Sequence, residues 1–448
     1  MPSLPLVSHV SSDSLIAWRA EGRVTLRQFL SDVRQLAAQF PAAGHLLNLC
    51  SDRYHFSVGL AAAIVAGKVS LLPPAHTPEM IRQIKRFAPE VFCLTDDDTR
   101  QVDLPQLRYP ALADCPAAAE DSPAIPQIDV DQLIAIVFTS GSTGTPQPHP
   151  KTWGALVRSV QAEAARLAIQ NTGCTLVGTV PPQHMYGFES TVLMAWHSGN
   201  ALSHAQPFYP ADICQALAAV PLPRILVSSP IHLRALLDAQ VALPTLTGVV
   251  SATAPLSAKL AWDIETRCAA PLMEIYGSTE TGLIATRRPA HGAQWELLPD
   301  IALFTEGDGI VASGGHVITP TALGDRIEPL SDTHFLLHGR IADLVNIAGK
   351  RHSLASLNHV LTSVPGVLDG TFYMPDDDGE SHVTRLAACV VAPGLDAPGL
   401  LAALRRHLDP VFLPRPLLFV DALPRNSVGK LPRAALQALF EAHTQQTA

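Results

Sequence analysis

The chain has 448 residues, of which 47% are hydrophobic and 16% charged, so a wholly disordered chain is excluded and there is length for a large core and a smaller second one. A formal net charge of −9 gives no whole-protein electrostatic reason to bind nucleic acid or an anionic lipid surface. Prolines outnumber glycines, 38 to 28, which points to fixed loops between elements and not to a low-complexity tail.

The opening stretch MPSLPLVSHVSSDSLIAW shows neither a basic leader nor a long apolar run. The most apolar segment, Val58 to Ala66, falls well short of the ~20 residues that span a bilayer, so a cytoplasmic protein without a membrane span is expected. Cys50, Cys93, Cys115, Cys174, Cys214, Cys268 and Cys389 are scattered and lack a Cys-x-x-Cys pair. They suggest neither a disulfide framework nor a zinc site, and small apolar filler is their default role.

From Leu133 onward, apolar β-branched runs alternate with helical patterns. Strands are predicted at Leu133–Phe138, Leu176–Val180, Ile225–Val227 and Val249–Val250, and helices at Gly154–Ala168 and Ile231–Leu237. That alternation predicts an α/β fold with mainly parallel sheets. Between about Pro289 and Gly324 the helical signal lapses into short Gly- and Thr-rich runs, read as a small β subdomain. Beyond this stretch strands are predicted at Phe335–His338, Leu344–Ile347, Gly370–Met374 and Leu386–Val391, with helices at Ser353–Thr362 and Pro398–His407. The expected organisation is a large domain over 1–340 and a small α+β domain over 341–448.

Directly after the first of these strands stands Thr139-Ser140-Gly141-Ser142-Thr143-Gly144-Thr145-Pro146. Its glycines let backbone approach an anion closely, and its hydroxyls and N–H groups offer donors to phosphate oxygens. It is not a Walker A loop, because no Gly-Lys-Ser/Thr follows at the required spacing. Downstream come Tyr276-Gly277-Ser278-Thr279-Glu280-Thr281-Gly282, Gly324-Asp325, His338-Gly339-Arg340 and Arg425-Asn426-Ser427-Val428-Gly429-Lys430.

In this order the motifs resemble those of the adenylate-forming superfamily, which includes acyl- and aryl-CoA synthetases, acyl-carrier-protein ligases, adenylation domains of peptide synthetases and luciferases. The resemblance runs from about Leu133 to Lys430. It implies ATP-dependent activation of a carboxylate to an acyl-adenylate, with release of pyrophosphate, then transfer to a thiol. Residues Thr139, Ser140, Gly141, Ser142, Thr143 and Gly144 would hold the triphosphate tail. By the same resemblance Thr279 contacts the α-phosphate and Glu280 helps to hold Mg²⁺, for which one carboxylate with phosphate oxygens and water suffices. Asp325 and Arg340 match the residues at the ribose. Ala254 and Pro255, in Ser251-Ala252-Thr253-Ala254-Pro255-Leu256, match the segment beside the adenine, with Tyr276, Gly277 and Ser278 completing the nucleotide site. Lys430 matches the lysine that bridges carboxylate and phosphate. Because it lies near the C-terminus, the resemblance implies a mobile C-terminal domain hinged just after Arg340, with Gly349 beside a pantetheine arm.

The chain departs from the family pattern in three places. The phosphate loop of most relatives continues Pro-Lys-Gly, whereas here it reads Pro146-Gln147-Pro148-His149-Pro150-Lys151. Lys151, four residues late, is the candidate for the missing charge, although the prolines fix a different backbone path. Ala342 occupies a hinge position often taken by Asp or Lys, and Leu354-Ala355-Ser356-Leu357-Asn358 replaces a Pro-x-Glu-Ile-Glu segment.

Pro181-Pro182-Gln183-His184-Met185-Tyr186-Gly187 resembles the segment lining the acyl pocket, with His184 at a gating position. Phe188-Glu189-Ser190-Thr191 lacks the Phe-Asp with which amino-acid-activating relatives grip an amino group. The expected substrate is therefore a small-molecule acid of fatty, hydroxybenzoate or cinnamate type. No fused carrier domain is evident, so the acceptor would be CoA or a separate phosphopantetheinyl carrier protein. Arg405, Arg406, Arg415, Arg425 and Arg433 form either a basic patch for such a carrier or ordinary solubilising charge. The alternative to a ligase is a catalytically impaired nucleotide-binding homologue with a regulatory or scaffold role.

Overall fold

The computed structural model describes residues 2–112, 124–140, 146–307, 309–340, 344–347, 350–375, 386–426 and 429–447. They divide into two compact units, one of residues 1–292, 296–302 and 312–321, the other of residues 293–295, 303–311 and 322–448.

The first unit is built on two sheets. One runs in the order Pro146–Thr152, Leu133–Ser140, Val69–Leu72, His45–Asn48, Phe92–Thr95, Gln106–Arg108. All its neighbours are parallel except the outermost strand, Pro146–Thr152, which is antiparallel to Leu133–Ser140. The other sheet contains the run Gly282–Arg287, Leu272–Ser278, Gly248–Ser251, Arg224–Ser228, Thr175–Gly178, Ala201–Ser203, Leu15–Arg19, Gly22–Thr25. Its interior pairs are parallel and its two outer hairpins antiparallel. Central strands such as Thr175–Gly178 are wholly buried, which is why they read as continuous apolar runs without alternation. The predicted helices stand at Trp153–Arg166 and Pro230–Asp238. The stretch predicted as a small β subdomain, whose residues are divided between the two units, contains the strands Ala302–Glu306, Gly309–Gly314 and Val317–Leu323.

The second unit carries the hairpin Asp325–Pro329/His334–Arg340, the hairpin Leu344–Ile347/Lys350–Ser353 and the helix Leu354–Ser363. A sheet of Asp369–Tyr373, Ala387–Val391 and Leu417–Phe419 packs with the helix Ala397–Leu404 around Leu357, Leu361, Phe372, Val390, Leu400 and Leu404. The sequence pattern places the boundary after Arg340, yet the compact second unit takes up the chain from Ala322. The physical reason is that His334–Arg340 packs against the helix Leu354–Ser363, which ties this hairpin to the C-terminal elements. Of the cysteines, Cys115 lies outside the described residues; the others form no disulfide, and all but the partly exposed Cys214 are buried. No described helix is long and apolar enough to cross a membrane.

One charged side chain knits the first unit's parallel strands at their C-terminal ends. Arg53 opens the helix Arg53–Val65, whose N-cap Asp52 accepts from the N–H groups of Tyr54 and His55 at 2.7 and 3.1 Å. Its guanidinium is completely buried and donates to the carbonyls of Gly178 (3.0 Å), Val180 (2.8 Å), Ser203 (3.4 Å) and Ala205 (2.5 Å). Burial pulls its pKa down to about 10, so it stays charged at neutral pH. These carbonyls lie at or just beyond the ends of two neighbouring strands, and those of Gly178 and Val180 lead into Pro181–Gly187, so Arg53 fixes where that segment leaves the sheet. Arg53→Met should leave four carbonyls without this donor and lower unfolding stability by about 3 kcal/mol or more, read as a lower urea midpoint.

Candidate active site

Proline at 146, 148 and 150 decides the geometry of the first site element. A proline cannot donate to a sheet ladder, and with every second residue a proline, a strand keeps N–H groups on one side only. Pro146–Thr152 is accordingly an edge strand, paired through one side, with Gln147 opposite Thr139, His149 opposite Val137 and Lys151 opposite Ala135. Alternation then puts Gln147, His149 and Lys151 on one face. Lys151 therefore keeps the face of the position where relatives carry their lysine, displaced about 13 Å along the strand. Gly141, Ser142, Thr143 and Gly144 of the phosphate loop, between these two strands, lie outside the described residues. Ser140 is described only as the last residue of its strand.

The second element is the hairpin joining Leu272–Ser278 to Gly282–Arg287, with Ser278 paired to Gly282 and Thr279, Glu280 and Thr281 at its tip. Two reciprocal bonds lock the tip: Thr281 Oγ1 accepts from the Ser278 N–H at 3.1 Å, and Ser278 Oγ accepts from the Thr281 N–H at 3.2 Å. Gly282 has φ +69°, the left-handed conformation usual in a three-residue hairpin loop. A Cβ on Gly277 would lie 2.1 Å from the Gly282 carbonyl oxygen, so this position also admits only glycine.

The two elements meet. Lys151 Nζ donates to the Thr279 carbonyl and reaches the Glu280 carbonyl at 3.4 Å, and the lysine is 8% exposed. His149 Nε2 lies 2.9 Å from Thr139 Oγ1 and 3.5 Å from Glu280 Oε1. The Glu280 side chain stays exposed. Its partial burial opposes ionisation, but hydrogen bonds from its own N–H and from Ser278, with His149 and Lys151 close by, hold it below the usual carboxylate range. Burial lowers the Lys151 pKa, while Glu189 and Glu280 both favour its charged form. Glu189, on the π-helical turn Phe188–Leu193, is itself pushed up by burial against the pull of Lys151. Its Oε1, the Ser159 hydroxyl and His316 Nε2 are buried without hydrogen-bond partners among the described residues. A Cβ on Gly282 would come within 3.3 Å of both Glu189 Oε1 and Ser159 Oγ.

The two segments that the resemblance matches to the acyl pocket and to the adenine are each pinned by hydrogen bonds. Tyr186 is buried, and its hydroxyl is 3.0 Å from the carbonyls of Ser228 and of Val250, at the ends of two parallel strands. His184 caps the short helical turn Met185–Gly187, its Nδ1 accepting from the Tyr186 N–H at 3.3 Å. In the adenine segment Thr253 has φ +81°, a strained conformation for a β-branched residue. Glu274 steadies that segment: its Oε1 accepts from the Leu256 N–H at 2.9 Å and its Oε2 from Arg287 Nε at 2.6 Å, while Arg287 also donates to the Leu256 carbonyl at 3.2 Å. Ala254 and Pro255 thus sit on a loop anchored at its far end. Tyr276, partly buried, pairs with Ala285 in the sheet.

In the second unit Asp325 and Arg340 are direct cross-strand partners, so the hairpin brings together the two residues matched to the ribose. Gly349 and Ala342 lie outside the described residues. Lys430 sits on an exposed loop whose ends are tied: its N–H donates to Asn426 Oδ1 at 2.9 Å and its carbonyl accepts from the Asn426 N–H at 2.8 Å. Gly429 has φ +77° and its carbonyl accepts from Arg425 Nη1 at 2.9 Å. Arg425 also grips Asp369 through two bonds of 2.8 Å, and Arg433 donates to the Met374 carbonyl with its guanidinium over the Tyr373 ring. These two arginines therefore hold local structure. Of the five considered as a patch, Arg405, Arg406 and Arg415 are exposed without such a bracing role among the described residues.

The sequence pattern alone does not single out His149, Glu189, Ser159 or the Glu274–Arg287 pair. The Pro-x-Pro-x-Pro alternation is a signal that could place His149 with Lys151. Among the described residues no group of three or more His, Cys, Asp or Glu side chains could hold a metal ion. An exposed, ionised Glu280 at a turn tip still fits Mg²⁺, which takes one or two carboxylates and fills its remaining positions with phosphate oxygens and water.

Comparison with known proteins identifies the family and the fold. The family described as AMP-binding enzyme matches residues 11–305. A 4-coumarate-CoA ligase from Rhodobacter capsulatus is 33% identical over 305 residues, covering 66% of this chain and 74% of the relative. A probable 2-succinylbenzoate-CoA ligase from Mycobacterium tuberculosis is 27% identical over 344 residues, covering 71% and 88%. The crystal structure of ATP-bound MatB from Rhodopseudomonas palustris superposes with a TM-score of 0.81 at 18% identity, covering 97% of this chain and 98% of that one, which shows the same fold. The chain belongs to the AMP-binding enzyme family.

Proposed function

We propose that the chain is an AMP-forming acid–thiol ligase acting on an aryl carboxylic acid. In the first half-reaction a carboxylate oxygen attacks the α-phosphorus of ATP. The new P–O bond gives the acyl-adenylate, and the bond to the bridging oxygen breaks to release pyrophosphate. In the second, a thiolate attacks the acyl carbon and AMP leaves with the C–O bonding pair.

The observation that carries this reading is the meeting of the Thr279–Glu280 turn with Thr139, His149 and Lys151 on the two strands flanking residues 141–145. Fixed hydroxyls and N–H groups there can receive the charge that gathers on phosphate oxygens without reorganising. We assign Thr139 and the 140–144 loop to the triphosphate, Thr279 to the α-phosphate, and Ala254, Pro255, Tyr276, Gly277 and Ser278 to the rest of the nucleotide. Asp325 and Arg340 are assigned to the ribose, Lys430 to the bridge between carboxylate and phosphate, His184 to the acyl pocket and Gly349 to the pantetheine arm. Glu280 would hold Mg²⁺, which when bound offsets negative charge on the phosphates. The relatives named for 4-coumarate and 2-succinylbenzoate support an aryl acid over a fatty one, and the absence of a Phe-Asp at Phe188-Glu189 argues against an amino acid. The same names support CoA as acceptor; Arg405, Arg406 and Arg415 are what would favour a separate acidic carrier protein.

Acid-dependent exchange of labelled pyrophosphate into ATP tests the first half-reaction, and thioester capture with CoA or a carrier protein tests the second. Exchange with cinnamic or benzoic acids is expected; binding of ATP without exchange from any aryl, fatty or amino acid would refute the reading. Lys430→Ala should depress exchange by about 100-fold or more while sparing thioester formation from a supplied acyl-adenylate, and equal loss of both half-reactions would remove Lys430 from the bridging role. Glu280→Gln should shift the Mg²⁺ titration of exchange to concentrations about tenfold higher; an unchanged titration would take Glu280 out of the metal site.

A further inference from the structure

The lysine displaced along the edge strand has its ammonium committed to the main chain. Lys151 Nζ donates to the Thr279 carbonyl and reaches that of Glu280 at 3.4 Å, and with 8% of the residue exposed it is shielded from solvent. A buried ammonium needs compensation, and two carboxylates provide it, Glu189 from the π-helical turn and Glu280 from the hairpin tip. Glu189 is 5% exposed; burial pushes its carboxyl up to about 7, while Lys151 and the Ser159 hydroxyl pull the other way and favour its ionised form. Gly282, which ends the same hairpin tip, leaves space for this side chain, since a Cβ there would stand 3.3 Å from Glu189 Oε1.

We propose that Lys151 is a positioning residue: its ammonium, balanced by Glu189, straps the Thr279–Glu280 turn in the geometry that receives nucleotide and metal, and does not grip the triphosphate tail. This deepens the ligase reading, on which the roles of Thr279 and Glu280 rest. The relocated lysine thus keeps the site's cation but changes its work, from a contact with the outer phosphates to one with the backbone that presents Thr279. The strand register explains how, because moving an even number of residues along the strand preserves the face while trading the loop end for the hairpin tip.

The test compares the full-length wild type with Lys151→Ala, Lys151→Arg and Glu189→Gln in two measurements. Amide hydrogen exchange of the ligand-free protein over Ser278–Gly282 reads the strap directly, and calorimetric binding of AMP and of ATP reads its consequence. Lys151→Ala is expected to speed exchange at the turn roughly tenfold and to weaken AMP and ATP by the same factor, roughly ten- to a hundredfold, because AMP lacks the outer phosphates. Arginine should restore most of both, and Glu189→Gln, which keeps shape but removes the balancing charge, should move both the same way by less. If the alanine variant does not fold, the Glu189→Gln comparison carries the test. Unchanged exchange at the turn would overturn the proposal, as would lost ATP affinity with AMP affinity intact. Should the wild type bind no adenine nucleotide, the ligase reading fails separately, while the exchange data still decide whether the strap exists.

Discussion

An edge strand with proline at every second position can pair through one side only, and much of the site in the first unit depends on that constraint. Pro146, Pro148 and Pro150 turn their missing donors away from Leu133–Ser140, so register and face are both fixed. With the face fixed, His149 reaches Thr139 and Glu280, and Lys151 reaches the carbonyls of Thr279 and Glu280. A flexible glycine-rich continuation at this point would allow a lysine to follow the phosphates. The proline strand instead makes the cation part of the scaffold.

That scaffold concentrates charge in a poorly solvated place. Lys151 and Glu189 are both buried, and burial opposes the charged form of each. Taking an ion out of water costs several kcal/mol unless it is paired, so such a cluster is an expensive way to gain stability. It makes sense where a backbone turn must hold its shape against a highly charged ligand. Elsewhere the unit uses the same device, with Arg53 gathering four carbonyls at the strand ends and Glu274 with Arg287 holding the loop after Thr253. In each case a charged side chain fixes main chain beside a parallel sheet, whose C-terminal edge is where ligands of α/β proteins bind.

Much of this is legible in the residues. The buried strands at Leu133–Ser140, Thr175–Gly178 and Arg224–Ser228 announce themselves as apolar β-branched runs, because a strand covered on both faces has no polar side to show. The Tyr-Gly-Ser-Thr-Glu-Thr-Gly motif is legible for a local reason: a close approach at Gly277 and a left-handed φ at Gly282 both require glycine. Pro146–Thr152 does not read as a strand, since prolines ordinarily argue against one and only the edge position rescues them. Glu189 and Ser159 are invisible in the sequence because their importance comes from contacts between a π-helical turn, a helix and a hairpin distant in the chain. The start of the second unit is hidden for a related reason, since the hairpin Asp325–Arg340 takes its partner from the helix Leu354–Ser363, beyond the boundary that the sequence suggests.

The central claim is that the Thr279–Glu280 turn, backed by Lys151 from the proline strand, is where the adenylate phosphate is received. Its most direct test is a crystal structure of the protein with a non-hydrolysable acyl-adenylate mimic. The claim predicts the phosphate surrogate within hydrogen-bond distance of Thr279, the Lys151 ammonium still on the Thr279 carbonyl, and the acyl group beside His184. An adenylate bound away from this turn, or a Lys151 side chain released to the ligand, would contradict it.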